Sequence, residues 1–331
     1  MEHVTMTGTD LCPSRICLGA VDFGTDICRE DAFALMDAFL EAGGNFVDTA
    51  HVYADWLSDI KGMSERTIGE WMASRGCREQ VIVGTKGGHM TAECPLPRLS
   101  PEQIHQDLTE SLRRLQTEQI DLYWLHRDDP SLPVGQILDT LESERKAGLI
   151  RWYAASNWST SRLREAAEYA QSRHIPGMAA SQIRWSLADV NPDSISDRTM
   201  VEMDEQGWEF HRQTGLSVVP FSSQACGFFS GKYSQDRPDS GRPDVRKLYG
   251  TELNWRRLER VQELAAHTGY TPNQIALTYL MAQPFPVFPI VGARSIAQLN
   301  DSCDAVSIHL TSDQVDYLKN GASQKYHGRT H

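Results

Sequence analysis

Short apolar runs that do not alternate with polar residues recur along the whole chain. Eight of them begin near Ile16, Phe46, Val81, Ile120, Ile150, Ala179, Ser217 and Val287. Most stop on a polar or small residue, among them Asp48, Lys86, His126, Ser156, Gln182, Ser222 and Gly292. A strand with one wet face alternates apolar and polar side chains, whereas a strand covered on both faces does not. Helical stretches separate the runs, so the pattern predicts parallel strands joined by helices. Eight such units in order predict a single-domain (β/α)8 barrel spanning all 331 residues. The functional site of such a barrel lies where the C-terminal ends of its strands meet. A doubly wound open sheet would carry a G-x-G-x-x-G turn after the first strand, and Gly19-Ala20-Val21-Asp22-Phe23-Gly24 does not match it.

The helices announce their starts. Ser100-Pro101-Glu102-Gln103, Thr271-Pro272-Asn273-Gln274 and Thr311-Ser312-Asp313-Gln314 each read as a capping box. Ile104, Leu108, Leu112 and Leu115 then line one face of a helix, as do Phe33, Met36 and Leu40. Val4-Thr5-Met6, Gly8-Thr9-Asp10 and Leu11-Cys12 predict a small N-terminal hairpin that plugs the barrel bottom. Residues 224–254 hold Gly227, Gly231, Pro238, Gly241 and Pro243, and read as a long loop after the seventh strand that acts as a lid.

Four of the strand-end residues form a chemical set. Asp48 closes the second run and Tyr53 follows it by five positions; Lys86 closes the third run and His126 the fourth. A free phenol ionises near pH 10, too high for easy proton donation at neutrality. A neighbouring ammonium stabilises the phenolate, an aspartate keeps that ammonium charged and oriented, and an imidazole can orient a carbonyl oxygen. Together they suit protonation of a carbonyl oxygen while something adds to its carbon.

Composition narrows the setting. A net charge of −12 argues against nucleic acid or an anionic membrane as the main partner. No basic-then-apolar leader and no bilayer-length apolar run is evident, so a cytoplasmic location is expected. The seven cysteines form no C-x-x-C pair, and the eleven histidines form neither H-x-H nor H-E-x-x-H, so no metal site is expected. Trp56, His89, Asp128, Asp129, Trp158, Arg184 and Trp185 fall around the mouth. Aromatic faces beside carboxylates suit a hydroxylated, sugar-like substrate.

The chain resembles the aldo-keto reductase superfamily, whose members are NADP(H)-dependent oxidoreductases built on a (β/α)8 barrel. Asp48-Thr49-Ala50-His51-Val52-Tyr53 is similar to its D-T-A-x-x-Y segment, Val83-Gly84-Thr85-Lys86 to its lysine strand, and Asp121-Leu122-Tyr123-Trp124-Leu125-His126 to its histidine strand. The resemblance implies that Tyr53 is the general acid, that Lys86 lowers its pKa, that Asp48 pairs with Lys86, and that His126 orients the carbonyl of a small-molecule substrate.

Ala155-Ser156-Asn157-Trp158 is similar to the family's G-x-S-N segment. It implies that Ser156, Asn157 and Gln182 hydrogen-bond the nicotinamide amide. Phe221 stands where a stacking tyrosine is usual, with Ser222 and Gln224 implied near the pyrophosphate. Ile290-Val291-Gly292-Ala293-Arg294-Ser295 resembles the adenosine-phosphate clamp. Arg294 is the implied 2′-phosphate ligand, because guanidinium binds phosphate in a bidentate fork. Gln298 is implied over the adenine, where Asp301 and Ser302 occupy positions the family gives to an acid and an asparagine. NADPH is therefore the expected cofactor and NADH the lesser alternative. Two other functions remain open: a nicotinamide-sensing regulatory subunit, and a metal-dependent sugar isomerase or hydrolase. Oligomeric state is not specified.

Overall fold

The computed structural model describes residues 1–91 and 94–321. Eight strands alternate with helices: β1 (Cys17–Gly19), β2 (Phe46–Asp48), β3 (Ile82–Gly87), β4 (Ile120–Leu125), β5 (Ile150–Ser156), β6 (Ala180–Gln182), β7 (Ser217–Val218) and β8 (Ile290–Val291). All ladders are parallel, and their spatial order is β7-β6-β5-β4-β3-β2-β1-β8. The open edge is closed just ahead of β8. Val218 bridges Val287, its N–H donates to the Pro286 carbonyl at 2.9 Å, and its own carbonyl accepts from Phe288 N–H at 2.8 Å. The sheet is thus the expected barrel, and the eighth run begins at its closure and carries on into β8.

Both faces of the strands are dry, which is why the runs do not alternate. Every residue of β4 is buried. Leu122 and Trp124 point inward and pack with Phe46, Ala154, Val219 and Phe288. Tyr123 and Leu125, out of phase with them, point outward against the helical layer. The outer layer includes Pro101–Leu115, Pro272–Met281 and Ser312–Asn320, each opened by the capping box read from the sequence. No helix among the described residues is long and apolar enough to cross a membrane.

Residues 2–15 double back on themselves: Met6 N–H donates to the Leu11 carbonyl at 2.9 Å and Val4 N–H to that of Pro13 at 3.1 Å. Met6 and Leu11 join the interior cluster. Asp10 accepts from Trp152 Nε1 at 2.6 Å and from Arg151 at 3.0 Å, fastening this segment to the start of β5, the end of the barrel remote from Lys86 and His126.

The stretch 224–254 differs from its reading as a bare loop. It holds a 3-10 turn at Ala225–Gly227, a helix at Pro243–Tyr249 and the start of the helix Glu252–Thr268. Phe228, Phe229, Tyr233 and Tyr249 are buried there, with the Phe228 and Trp255 rings 4.9 Å apart.

Candidate active site

Strand register brings the four expected residues together. Asp48 pairs with Gly84 in the β2–β3 ladder, and Lys86 lies two residues beyond Gly84 on the same inward face. Lys86 in turn pairs with Trp124, and His126 lies two residues beyond that. Each step along the barrel therefore carries the next side chain higher on the same wall. Tyr53 sits on the turn after β2, whose His51 N–H donates to the Lys86 carbonyl at 2.9 Å.

Lys86 is the hub. Its buried Nζ donates to Asp48 Oδ2 at 2.5 Å, to the Thr49 carbonyl at 2.8 Å and to Tyr53 Oη at 3.0 Å. The other oxygen of Asp48 accepts from Gln182 Nε2 at 3.0 Å. Burial alone would discharge Lys86, but Asp48 and Tyr53 outweigh it and hold the ammonium above its ordinary value. Burial pushes the Tyr53 phenol above its usual range while Lys86 pulls it down. The phenol is thus protonated at neutral pH and hydrogen-bonded to the group that would stabilise its anion.

His126 is buried, and burial together with the Lys86 charge drives its pKa well below the ordinary value, so the imidazole is neutral. Its Nδ1 is buried and has no partner among the described residues. A buried N–H without an acceptor is rarer than a bare lone pair, so we assign the proton to Nε2. Its ring lies 5.7 Å from that of Tyr53 and 4.6 Å from that of His89. His89 Nδ1 bonds the Met90 carbonyl at 2.7 Å.

The expected cofactor residues lie along the ends of β5 to β8, but many are already engaged. Asn157 takes a left-handed φ of 59°; its Nδ2 donates to the His126 carbonyl at 3.2 Å and to Ser156 Oγ at 3.1 Å, and its Oδ1 accepts from Val201 N–H. Gln224 ties Asn273, Ser302 and Gly292 N–H together. Gln298 accepts from the Arg294 N–H at 2.9 Å, and Asp301 accepts from Thr271 and Asn273 at 2.8 Å each. These side chains brace the rim. Ser222 turns with a φ of 54° beside Phe221, whose ring faces the Arg184 guanidinium at 5.8 Å. Arg294 is 64% exposed and meets Asp22 at 3.1 Å. A Cβ at Gly292 would meet nothing within 4 Å, so the backbone there is open to close approach.

The expected mouth residues divide. Trp56 is 61% exposed and its ring is 6.4 Å from that of Tyr53. Asp128 pairs with Arg162 at 3.2 Å, Asp129 accepts from Ser131 at 2.6 Å, and Arg184 pairs with Glu202 at 3.3 Å. Trp185 stacks on Phe285 in a buried cluster, and buried Trp158 lies under Arg162 at 5.3 Å.

Two supports escaped the sequence reading. Buried Arg127 donates to the His126 carbonyl at 2.9 Å while pairing with Asp197 and Thr199. Its position directly after His126 was the available signal, but its partners lie some 70 residues on in the loop after β6. Arg114 donates to the His51 carbonyl at 2.8 Å and pairs with buried Glu65, which accepts from Thr85 at 2.6 Å; His51 itself pairs with Glu110 at 2.9 Å. This network holds the Tyr53 turn and the Lys86 strand in one frame. Among the described residues, no group of three or more His, Cys, Asp or Glu could hold a metal ion.

Comparison with known proteins finds a family for the chain. A model described as the Aldo/keto reductase family matches residues 15–321. The chain is 31% identical to an uncharacterized oxidoreductase, YrpG, of Bacillus subtilis (strain 168), over 96% of this chain and 95% of that protein. It is 30% identical to a putative aryl-alcohol dehydrogenase, AAD14, of Saccharomyces cerevisiae, over 88% of this chain and 76% of that one. It is also 26% identical to norsolorinic acid reductase B of Dothistroma septosporum, over 92% of this chain and 77% of that protein.

Proposed function

The chain belongs to the aldo/keto reductase family, and from that premise we propose that it reduces an aryl aldehyde or ketone with NADPH, Tyr53 giving the proton. The observation that carries this is the Lys86 ammonium bonded at once to Asp48 and to the Tyr53 hydroxyl. A bound reduced nicotinamide would supply hydride to the carbonyl carbon. The chain fits such a group: Ser156 and Gln182 pair at the ends of β5 and β6, open backbone lies at Gly292, and the exposed Arg294 guanidinium suits a 2′-phosphate.

The chain's own part is proton transfer and orientation. Tyr53 Oη releases its proton to the carbonyl oxygen, and Lys86 stabilises the phenolate left behind. Asp48 and the Thr49 carbonyl keep the ammonium aimed. The Nε2–H of neutral His126 donates to the same carbonyl oxygen and sets its position before transfer.

An aryl substrate is favoured over a sugar-like one because the carboxylates that would grip hydroxyls are occupied, Asp128 by Arg162 and Asp129 by Ser131. The turn carrying Tyr53 instead exposes Trp56, Leu57 and Ile60. The relative named an aryl-alcohol dehydrogenase supports the same choice. The test is NADPH consumption by purified protein against aryl aldehydes, aryl ketones, keto-sugars and aliphatic ketones. The highest kcat/KM is expected with the aryl compounds. Preference for keto-sugars would overturn the substrate class, and tight NADPH binding without consumption of any would point to a sensor.

A further inference from the structure

Arg294 does not face solvent alone. Its Nη2 lies 3.1 Å from Asp22 Oδ2 and 3.6 Å from Asp26 Oδ2, two carboxylates on the turn after β1. The neighbours explain the meeting, since β1 and β8 are adjacent in the barrel. The turn is firmly built. The Asp22 carbonyl accepts from Thr25 N–H at 3.2 Å, Thr25 Oγ1 at 3.0 Å and Ile27 N–H at 3.1 Å. Gly24 supplies the φ of +79° that the reversal needs, and Phe23 and Ile27 anchor it in the core. Arg294 is fixed from its own side by the bond from its N–H to Gln298.

Resting on the cofactor proposed above, we infer that Asp22 and Asp26 are specificity-determining residues that compete with the 2′-phosphate for Arg294 and so narrow the preference for NADPH over NADH. One guanidinium faced by two carboxylates leaves a local balance of minus one. A phosphate monoester carries roughly −1.5 to −2 at neutral pH. To reach Arg294 it must displace Asp22 and then lie beside both carboxylates, against like-charge repulsion. A 2′-hydroxyl meets no such repulsion and is a donor that a carboxylate accepts. The cluster is open to solvent, so the effect is moderate and salt-dependent: roughly three- to tenfold in affinity per carboxylate at low ionic strength.

The experiment is titration of the full chain with NADPH and with NADH, for the unaltered protein, Asp22→Asn, Asp26→Asn and the double variant, at low and at high salt. The ratio of the two Kd values is the readout. The double variant should tighten NADPH by roughly tenfold or more, change NADH by less than about twofold, and lose much of the gain at high salt. Unchanged NADPH affinity, or equal tightening of both cofactors, would overturn the competition. Weaker NADPH binding in the variants would overturn it too, by making Asp22 a residue that aims Arg294. Failure of the unaltered chain to bind either dinucleotide would instead bring down the cofactor assignment itself.

Discussion

In the proposed reaction Tyr53 gives the proton and Lys86 stabilises the charge left behind, so side-chain changes should separate chemistry from binding. Tyr53→Phe keeps the ring beside Trp56 and His126 but removes the hydroxyl that Lys86 holds at 3.0 Å. Turnover should fall by about 10²- to 10⁴-fold, the usual worth of a positioned general acid, with the NADPH Kd nearly unchanged. Near-normal turnover in steady-state assays would remove Tyr53 from its role. Arg294→Ala should weaken NADPH by roughly ten- to a hundredfold, since the proposed charge-assisted bond to the 2′-phosphate would be lost and Asp22 and Asp26 left unopposed. NADH should weaken by less than about threefold; equal loss for both would mean that Arg294 does not read the 2′-phosphate. At this scale the meeting of Asp48, Tyr53, Lys86 and His126 was legible because each ends or closely follows a buried run, and parallel strands bring such ends together. Direction was not legible. Asp128, Trp158 and Trp185 are near the mouth in sequence, yet Asp128 turns to Arg162 and Trp185 to Phe285, because long-range partners decide which way a loop side chain points.

At the scale of elements, capping residues and dry strands could be read locally, since both depend on neighbours a few positions away. Ser100, Thr271 and Thr311 cap their helices through the third residue on, as their spacing demands. The stretch 224–254 could not be read this way. Its glycines and prolines mark breaks, but Phe228, Phe229, Tyr233, Tyr249 and Trp255 follow neither strand nor helix period, so nothing local shows that they meet. They form a satellite core that fastens the segment to the helix Glu252–Thr268. Phe228→Ala should therefore cost about 3–5 kcal/mol in urea unfolding, as truncation of a buried aromatic does. A loss under about 1 kcal/mol would mean that the segment is a loosely attached flap.

Across the whole molecule, barrel closure buries side chains that arrive from distant parts of the chain, and one of them ties stability to pH. His211, near the end of the helix Glu205–Thr214, is buried against Phe285, which leads into the closing residues before β8. Its Nδ1 bonds the Leu216 carbonyl at 2.9 Å. Burial pushes its pKa down from 6.5 to about 4, against the opposing pull of that carbonyl. Unfolding returns the imidazole to water and to its ordinary value, so below pH 6.5 the unfolded chain binds a proton that the folded chain refuses. The stabilisation is complete above pH 6.5 and is lost as pH falls toward and through about 4. The shift corresponds to roughly 3 kcal/mol. Urea unfolding across this window should show His211→Gln with a shallower decline than the unaltered chain, whatever its stability at neutral pH. Buried His126 is also held neutral and leaves a residual slope in the variant. Equal slopes in the two proteins would mean that His211 is already solvated in the folded state and that the closure beside Phe285 is looser than its packing implies.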